Sequence, residues 1–570
     1  MNEIVILMGG AITRQERQKL QNAEAIICSD NSRVPTYVVG SVHEIDQVLF
    51  HQISCELRDA WNLQLMSFAE EVPDVLFTMG GASRSENSDI IRCLCLFTYA
   101  ERQFPMGHIS FVGAGNATRW IASIGAACSI RHFYTLARCG LTSVLKTVWH
   151  LFRALMIWCS CRDIVNRSTS SSLVLSLSKH FGDDGDKYYG TYFNDILNSD
   201  RVILTGSLGG LQSASARSQV QICRRFCNFK NLSVLTDGAS PIRLFSLAWC
   251  SLRFMASVIC WRNDKSKLNR GSSIRIMRLL RLEIINNLHH YVSHAQLHYK
   301  LVSRSIMEDR KKVLTYHFEF PMGRAIASAA HERSSGKVFG LQHGLISRGK
   351  WCYGLVGEMF KSAEFSNLTP DIFLLESEPA RHIISLPKSD VKLIGAVRYD
   401  RPIKLRHNSY LDVEKPVVFI LLDLHADLDD LQGMLSLAKH FNAGAKIRLR
   451  IHPRSIHAQA FRDYITSELG DEKSSVSDGK LDDELDTFGP SMIIGQSSSA
   501  LVECFFAGFP ISVYRNVCNR MILDWFIDAH SDGSHTSMQV KASDNLYEKI
   551  SLFIAFNDGL ASRRIANCFT

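Results

Sequence analysis

The chain has 570 residues, 46% of them apolar and 21% charged, with a net charge of +8. That length is too great for one core and implies two or three domains, and the apolar share excludes a disordered chain. The mild basic excess suits an anionic substrate or a membrane surface as well as a nucleic acid.

The sequence opens Met1-Asn2-Glu3-Ile4-Val5-Ile6-Leu7-Met8-Gly9-Gly10, which reads as a strand and a glycine turn with no basic leader. Strands are expected at 4–8, 25–28, 75–79, 108–112 and 201–205. Their alternation with helical stretches argues for a parallel, doubly wound sheet. Gly113-Ala114-Gly115-Asn116 follows a strand but completes no dinucleotide fingerprint, so it reads as a tight strand-to-helix turn.

Residues of about 141–300 read as a helical insertion, with a turn-rich loop at 181–190. Two apolar, Trp-bearing stretches lie in it, at 143–162 and 242–281. Neither reaches the ~18–20 uninterrupted apolar residues of a spanning helix. They fit either buried helices or helices lying on the inner face of a membrane.

Regular alternation then resumes. A strand is expected at 312–316, a helix at 322–335, and a strand at 337–342 that ends Gln342-His343-Gly344. Strands at 371–375 and 391–394 follow, the second leading to Gly395-Ala396-Val397-Arg398. Polar residues at 404–414 read as an interdomain linker.

A second sheet is expected to begin at 417–422, followed by a helix at 428–439. Its next strand, 447–451, runs into His452-Pro453, and a strand at 492–494 runs into Gln496-Ser497-Ser498-Ser499. A helix at 500–507, a strand at 510–514 and a helix at 546–556 complete the pattern. The domains are thus expected at 1–400, 401–545 and 546–570, the last crossing back onto the first.

The 16 cysteines form no repeated C-x-x-C knuckles with His partners, so no structural zinc site is expected. Most sit in apolar helical patterns, as buried reduced thiols do, and a reducing cytoplasm is the natural compartment.

Ligands of open α/β sheets bind at the carboxyl ends of the strands. His452 at such an edge can donate to a phosphate oxygen, or simply pack there. Pro453 suits a first helical position. Ser497, Ser498 and Ser499 can cap the next helix, with Glu503 in its first turn. The same hydroxyls and free N–H groups also make a phosphate cradle.

Residues 447–453, 486–503 and Gly508-Phe509-Pro510 resemble the C-terminal domain of bacterial GT-B glycosyltransferases. These include sialyl- and polysialyltransferases, capsule Kdo transferases and teichoic-acid glycerophosphotransferases, which share an HP motif followed by an SS/T motif. His452-Pro453 and Ser497 to Ser499 match in order and spacing. Residues 315–324 with Gly340-Leu341-Gln342-His343-Gly344 are similar to a surface-carbohydrate (O-antigen) biosynthesis family. The resemblance covers about 313–514 and is thin before residue 300.

It implies an α/β fold of GT-B type, two Rossmann-like domains facing a cleft. It implies an inverting transfer of a sugar from a nucleotide donor, CMP-linked nonulosonate or Kdo, to a glycan or lipid-linked glycan acceptor. His452, Pro453, Ser497, Ser498, Ser499, Glu503, Gln342 and Arg398 would serve the donor, with Arg398 open also to an interdomain salt bridge.

The base stays open between Glu319 and His343. Glu319 departs from the acidic motif of these families, being followed by Phe-Pro rather than acid-Gly. A literal Asp183-Asp184-Gly185 lies in a loop. Asp423, Asp427, Asp429 and Asp430 read as a loop and helix cap, and neither metal nor cofactor is expected. Nucleic acid is not expected either, because the basic residues lie beside apolar helices rather than exposed stacking aromatics. Two alternatives remain: a CDP-glycerol or CDP-ribitol polyol-phosphate transferase, and a non-catalytic nucleotide- or carbohydrate-binding assembly protein.

Overall fold

The computed structural model describes most of residues 3–113, 120–121, 129–161, 172–177, 181–189, 201–205, 232–234, 241–261, 272–291, 312–397, 416–514, 537–540 and 560–569. Some residues within these spans, among them Pro453, Ser497 and Ser498, lie outside the description. The chain forms two compact units. One holds residues 1–53, 86–114 and 399–559, the other 54–85, 115–398 and 560–570.

The fold is mixed α/β on parallel sheets. The first unit contains a four-stranded parallel sheet of β1 (Glu3–Leu7), β2 (Ala25–Cys28), β3 (Ser41–Glu44) and β4 (His108–Val112), in the order β3-β2-β1-β4. β1 and β2 are near-continuous apolar runs buried along almost their whole length, as parallel strands covered on both faces are, while β3 at the edge is polar and mostly exposed.

The second unit contains a seven-stranded parallel sheet. Its strands are β5 (Ser172–Leu177), β8 (Arg201–Thr205), β9 (Leu232–Val234), β10 (Lys312–Tyr316), β11 (Val338–Leu341), β12 (Ile372–Leu375) and β13 (Val391–Leu393). A short hairpin, β6 (Phe181–Gly182) and β7 (Gly185–Asp186), lies apart from it. The order β13-β12-β11-β10-β5-β8-β9 shows that the chain builds outward from β5 on one side, then returns to build outward from β10 on the other. The reversal therefore falls between β5 and β10.

The first unit also contains a six-stranded sheet of β14 (Val417–Leu421), β15 (Lys446–Arg450), β16 (Ser474–Ser477), β17 (Met492–Gly495), β18 (Ile511–Tyr514) and β19 (Ser537–Val540). Its order is β16-β15-β14-β17-β18-β19, parallel except for β19 at the edge. Here the reversal falls between β14 and β17. Its core is a cluster including Val418, Ile420, Leu431, Met434, Leu449 and Phe461, where the strand faces meet the helices Leu428–Phe441 and Ala458–Leu469.

Several expectations need correction. Residues 1–400 hold two separate sheets, not one, and the segment of about 141–300 contributes β5, β8 and β9 to the second of them. Where a strand was expected at 75–79 the chain forms a 3-10 turn, Pro73–Phe77, because Pro73 stands two residues past the end of the long helix Gln47–Glu71 and the chain keeps turning. The described helix there opens at Ala458: ahead of it His452 O accepts from Ser455 N at 2.9 Å and Ser455 Oγ from His457 N at 3.2 Å, and Pro453, where a helix start was expected, lies outside the described residues. The helix expected at 546–556 lies outside the described residues. The described C-terminal helix is Ala561–Phe569, and its Arg564 donates to Ile394 O at 3.3 Å within the second unit.

Candidate functional site

In the second unit, register fixes what comes together. Tyr316 pairs with Leu341, and Leu341 with Leu374. The residues that follow β10, β11 and β12 therefore emerge side by side at the carboxyl edge. These are His317 to Glu319, Gln342-His343, and Glu376. β10 borders the topological reversal, where ligands of open α/β sheets bind.

The turn after β10 is sharp. His317 has φ 65°, the left-handed region that non-glycine residues seldom occupy. Phe320 N donates to His317 O at 2.9 Å, and the helix Pro321–Arg333 starts at once, with Pro321 at its first position. This helix lies hard against the turn. A Cβ on Gly323 would stand 2.5 Å from both His317 O and Phe318 Cα, so only glycine fits. Arg324, one residue on, is fully buried. It donates to Leu76 O at 2.5 Å and to Glu319 O at 2.8 Å. A buried guanidinium without partners costs several kcal/mol, so these two carbonyls hold the helix, the 3-10 turn Pro73–Phe77 and the Glu319 backbone in one arrangement.

Glu319 is 2% exposed. Its Oε1 lies 3.5 Å from His343 Nε2 and accepts from the Tyr353 hydroxyl at 3.4 Å, while Oε2 has no hydrogen-bond partner. Burial raises its pKa to about 7; Lys350, Tyr353 and Arg324 pull more weakly the other way. The same burial, and then the Glu319 charge, pushes the Tyr353 hydroxyl well above its ordinary value. A carboxyl that changes protonation near neutrality, touching an imidazole, can take a proton from a substrate hydroxyl and pass it on.

Gln342 braces the neighbouring strand end. Its amide nitrogen donates to Gly344 O at 2.8 Å and to Glu376 Oε2 at 3.3 Å, and its carbonyl accepts from Glu376 N at 2.9 Å. Both residues are about 5% exposed. Gln342 thus fixes the loop that carries His343.

His317 joins the same cluster, its ring centroid 3.7 Å from that of His343. Ligand atoms of His317, Glu319 and His343 all lie within 4.8 Å of one another, a spacing that would admit one divalent cation. Lys350 and Arg324 already bring positive charge to Glu319, which opposes a further cation.

In the first unit, Leu421 pairs with Arg450 on one side and with Gly495 on the other. His452 and Gln496 therefore emerge at one edge, on strands flanking β14 and about 10 Å apart by strand spacing. His452 is half-buried, and Asp423, after β14, is buried between them in the strand order. Gln496 is 1% exposed, and its Oε1 has no hydrogen-bond partner. Ser499 is the first residue of the helix Ser499–Phe506, which also carries the half-buried Glu503. This helix starts beside the reversal between β14 and β17, so the positive end of its dipole is placed to favour an anion there. Pro453, Ser497, Ser498, Arg398, Asp183 and Asp184 lie outside the described residues. Asp427 is the N-cap of the helix Leu428–Phe441, in a capping box with Asp430.

Sequence reasoning missed His317, Arg324, Tyr353 and Glu376. His317 stood inside a quoted motif. The signal available was a strand that stops before His-Phe-Glu-Phe-Pro, since Pro321 forces the helix to start there and leaves a tight turn for the three residues before it.

The fold and the two strand-edge sites define an α/β protein of doubly wound parallel sheets. No protein-family model matches the chain, and no curated protein matches it. Among solved structures it is similar to a putative UDP-N-acetylglucosamine 2-epimerase from Listeria monocytogenes, with 11% identity, 70% of this chain and 95% of that one covered, and a TM-score of 0.40. It is also similar to the UDP-GlcNAc 2-epimerase from Methanocaldococcus jannaschii, with 11% identity, 70% and 98% covered, and a TM-score of 0.38. The lipopolysaccharide outer core galactosyltransferase WaaB is similar with 9% identity, 70% and 98% covered, and a TM-score of 0.37.

Proposed function

We propose that the chain is a GT-B-type glycosyltransferase of bacterial surface-polysaccharide synthesis, moving a sugar from a nucleotide donor to a glycan or lipid-linked glycan acceptor. The observation that carries this reading is the pair of strand-edge sites, one at the reversal of each doubly wound sheet. The first unit holds the nucleotide. His452 donates to the leaving phosphate, and the N-terminus of the helix Ser499–Phe506, with the serines before it, cradles it.

The second unit activates the acceptor. Glu319, with Oε2 unpartnered, accepts the proton of the acceptor hydroxyl as that oxygen attacks the anomeric carbon. His343 on Oε1 and Tyr353 orient the carboxylate. One displacement of this kind inverts the anomeric centre and needs no metal. The HP and serine motifs support a CMP-linked nonulosonate or Kdo as donor. The work would be done in the cytoplasm, where such donors are made.

Thermal-shift measurements with CMP, CDP, UDP and GDP test the donor, because a ligand stabilises the fold it binds. Stabilisation by UDP or GDP alone would overturn the CMP assignment. Product mass separates sugar transfer from transfer of a polyol phosphate. Turnover that survives EDTA is expected, and loss of turnover restored by a divalent cation would return the His317, Glu319 and His343 cluster to metal chemistry.

A further inference from the structure

The helix Ser129–Cys161 turns small polar residues inward. Ser143 and Thr147 are buried, Thr147 Oγ1 donates to Ser143 O at 2.8 Å, and this helix packs against the helix Ser272–Asn286. Its large apolar residues face water instead: Leu141, Leu145, Val148, Trp149 and Phe152 are each more than half exposed. Their spacing of three and four residues puts them on one stripe.

The helix Pro241–Cys260 packs against it and repeats the pattern. Ser251 is buried, with its hydroxyl on Leu247 O at 2.7 Å, while Phe245 is 77% and Trp249 65% exposed, and Leu252 and Ile259 are exposed with them. Single exposed apolar residues are ordinary on a protein surface. Two adjoining helices that each carry an exposed apolar stripe are not, and such surfaces mark a partner.

Charge says which partner. Neither helix contains an Asp or a Glu, whereas Arg138 and Arg253 are exposed on them. A second copy of this chain in a two-fold contact would set one arginine-bearing, acid-free face against another. An anionic lipid surface supplies the missing negative charge, and Trp and Phe suit its headgroup boundary. Among the described residues no helix is long and apolar enough to cross a membrane.

We infer that the helices Ser129–Cys161 and Pro241–Cys260 form a docking surface for an anionic lipid bilayer, lying in its interface. The inference does not rest on the transferase reading, and binding is measured without turnover.

The test is co-sedimentation of the whole protein with vesicles of phosphatidylcholine alone and with phosphatidylglycerol mixed in. Binding to the anionic vesicles is expected, with much weaker binding to the neutral ones. The double variant Trp149→Glu/Phe245→Glu should bind the anionic vesicles about tenfold more weakly at an unchanged thermal midpoint, since both side chains are exposed. Should that variant misfold, the single variants Trp149→Ser and Phe245→Ser carry the test in the same co-sedimentation, each with weaker binding to the anionic vesicles expected. Absence of vesicle binding by the parent, equal binding by a folded double variant, or a dimer that the double variant dissolves in place of vesicle binding would each overturn the proposal.

Discussion

The two strand-edge sites are built on one topological plan and differ in polarity and burial. The edge after β10, β11 and β12 is dry: Glu319, Gln342 and Glu376 are buried and bound to one another's strands through Tyr353, His343 and the backbone. The edge after β15 and β17 also buries Gln496 and Asp423; it differs in presenting a helix start, with His452 and Glu503 half-buried, where the first edge presents a buried carboxyl beside the half-buried His317 and His343. Proton transfer gains from a site where burial moves a carboxyl toward neutrality. A phosphate cradle gains from backbone N–H groups that a charged ligand can reach. The contrast is what a division of labour between base and nucleotide requires.

The largest test of that division is Glu319→Gln. If the dry edge holds the base, transfer should fall by roughly 10²–10⁴-fold, the usual worth of general base catalysis, while nucleotide-induced stabilisation is kept. His343→Gln should cost less, because it removes only an orienting contact. A reversed order of the two losses would make His343 the base.

The same carboxyl gives a stability test of the comparison. Its pKa is raised from 4.5 to about 7 by burial. A raised carboxyl favours the folded state while protonated. That contribution is full below pH ~4.5 and is lost as pH rises through about 7. Glutamine keeps the neutral form, so Glu319→Gln should match the parent in acid and exceed it above neutrality, by up to about 3 kcal/mol at 1.36 kcal/mol per pKa unit. Denaturant melts at pH 4 and pH 8 read the difference. Parent transfer should rise with pH through about 7, and a flat profile would remove Glu319 from the proton path.

A smaller effect is expected from Gln342→Ala. It leaves Glu376 without its side-chain partner in a buried place, which costs about 1–3 kcal/mol. Because Gln342 braces the loop of His343, transfer should fall severalfold with the pH profile unmoved. A shifted profile would mean that Gln342 acts on the titrating group itself.

Much of this was legible in the sequence, and the reasons are local. The strand Ala25–Cys28 was expected at its observed bounds, because a four-residue apolar run between turn formers has no other use. The strands at 312–316 and 417–421 were equally plain. Sheet membership was not, since pairing β5 with β10 joins residues far apart in sequence, and no local pattern records it. Glu319 and His343 were candidates because the motifs of the resemblance place them after strands, and the structure brings the two side chains together. Glu376 was passed over because Ser377-Glu378-Pro379 beside it reads as a helix start, which it also is. Arg324 was passed over because arginines are seldom buried. Only the carbonyls of Leu76 and Glu319, one of them remote in sequence, explain it.

A last effect, on nucleotide affinity, bears on the edge after β15 and β17. If phosphate is held there chiefly by the start of a helix, no single side chain should account for all of the binding. His452→Ala removes one charge-assisted donor, and the loss should be about 1.4–3 kcal/mol, at least tenfold in nucleotide affinity. Calorimetric titration with CMP and CDP measures it. If His452 also assists the leaving phosphate, transfer must fall further than affinity does, because only an interaction stronger in the transition state lowers turnover beyond binding. Equal losses would make His452 a binding residue and leave departure of the nucleotide to the helix N-terminus. A loss of affinity below twofold would show that the half-buried imbalance between the two edges reflects an unused surface, and the nucleotide would then have to be sought at the carboxyl edge of another strand.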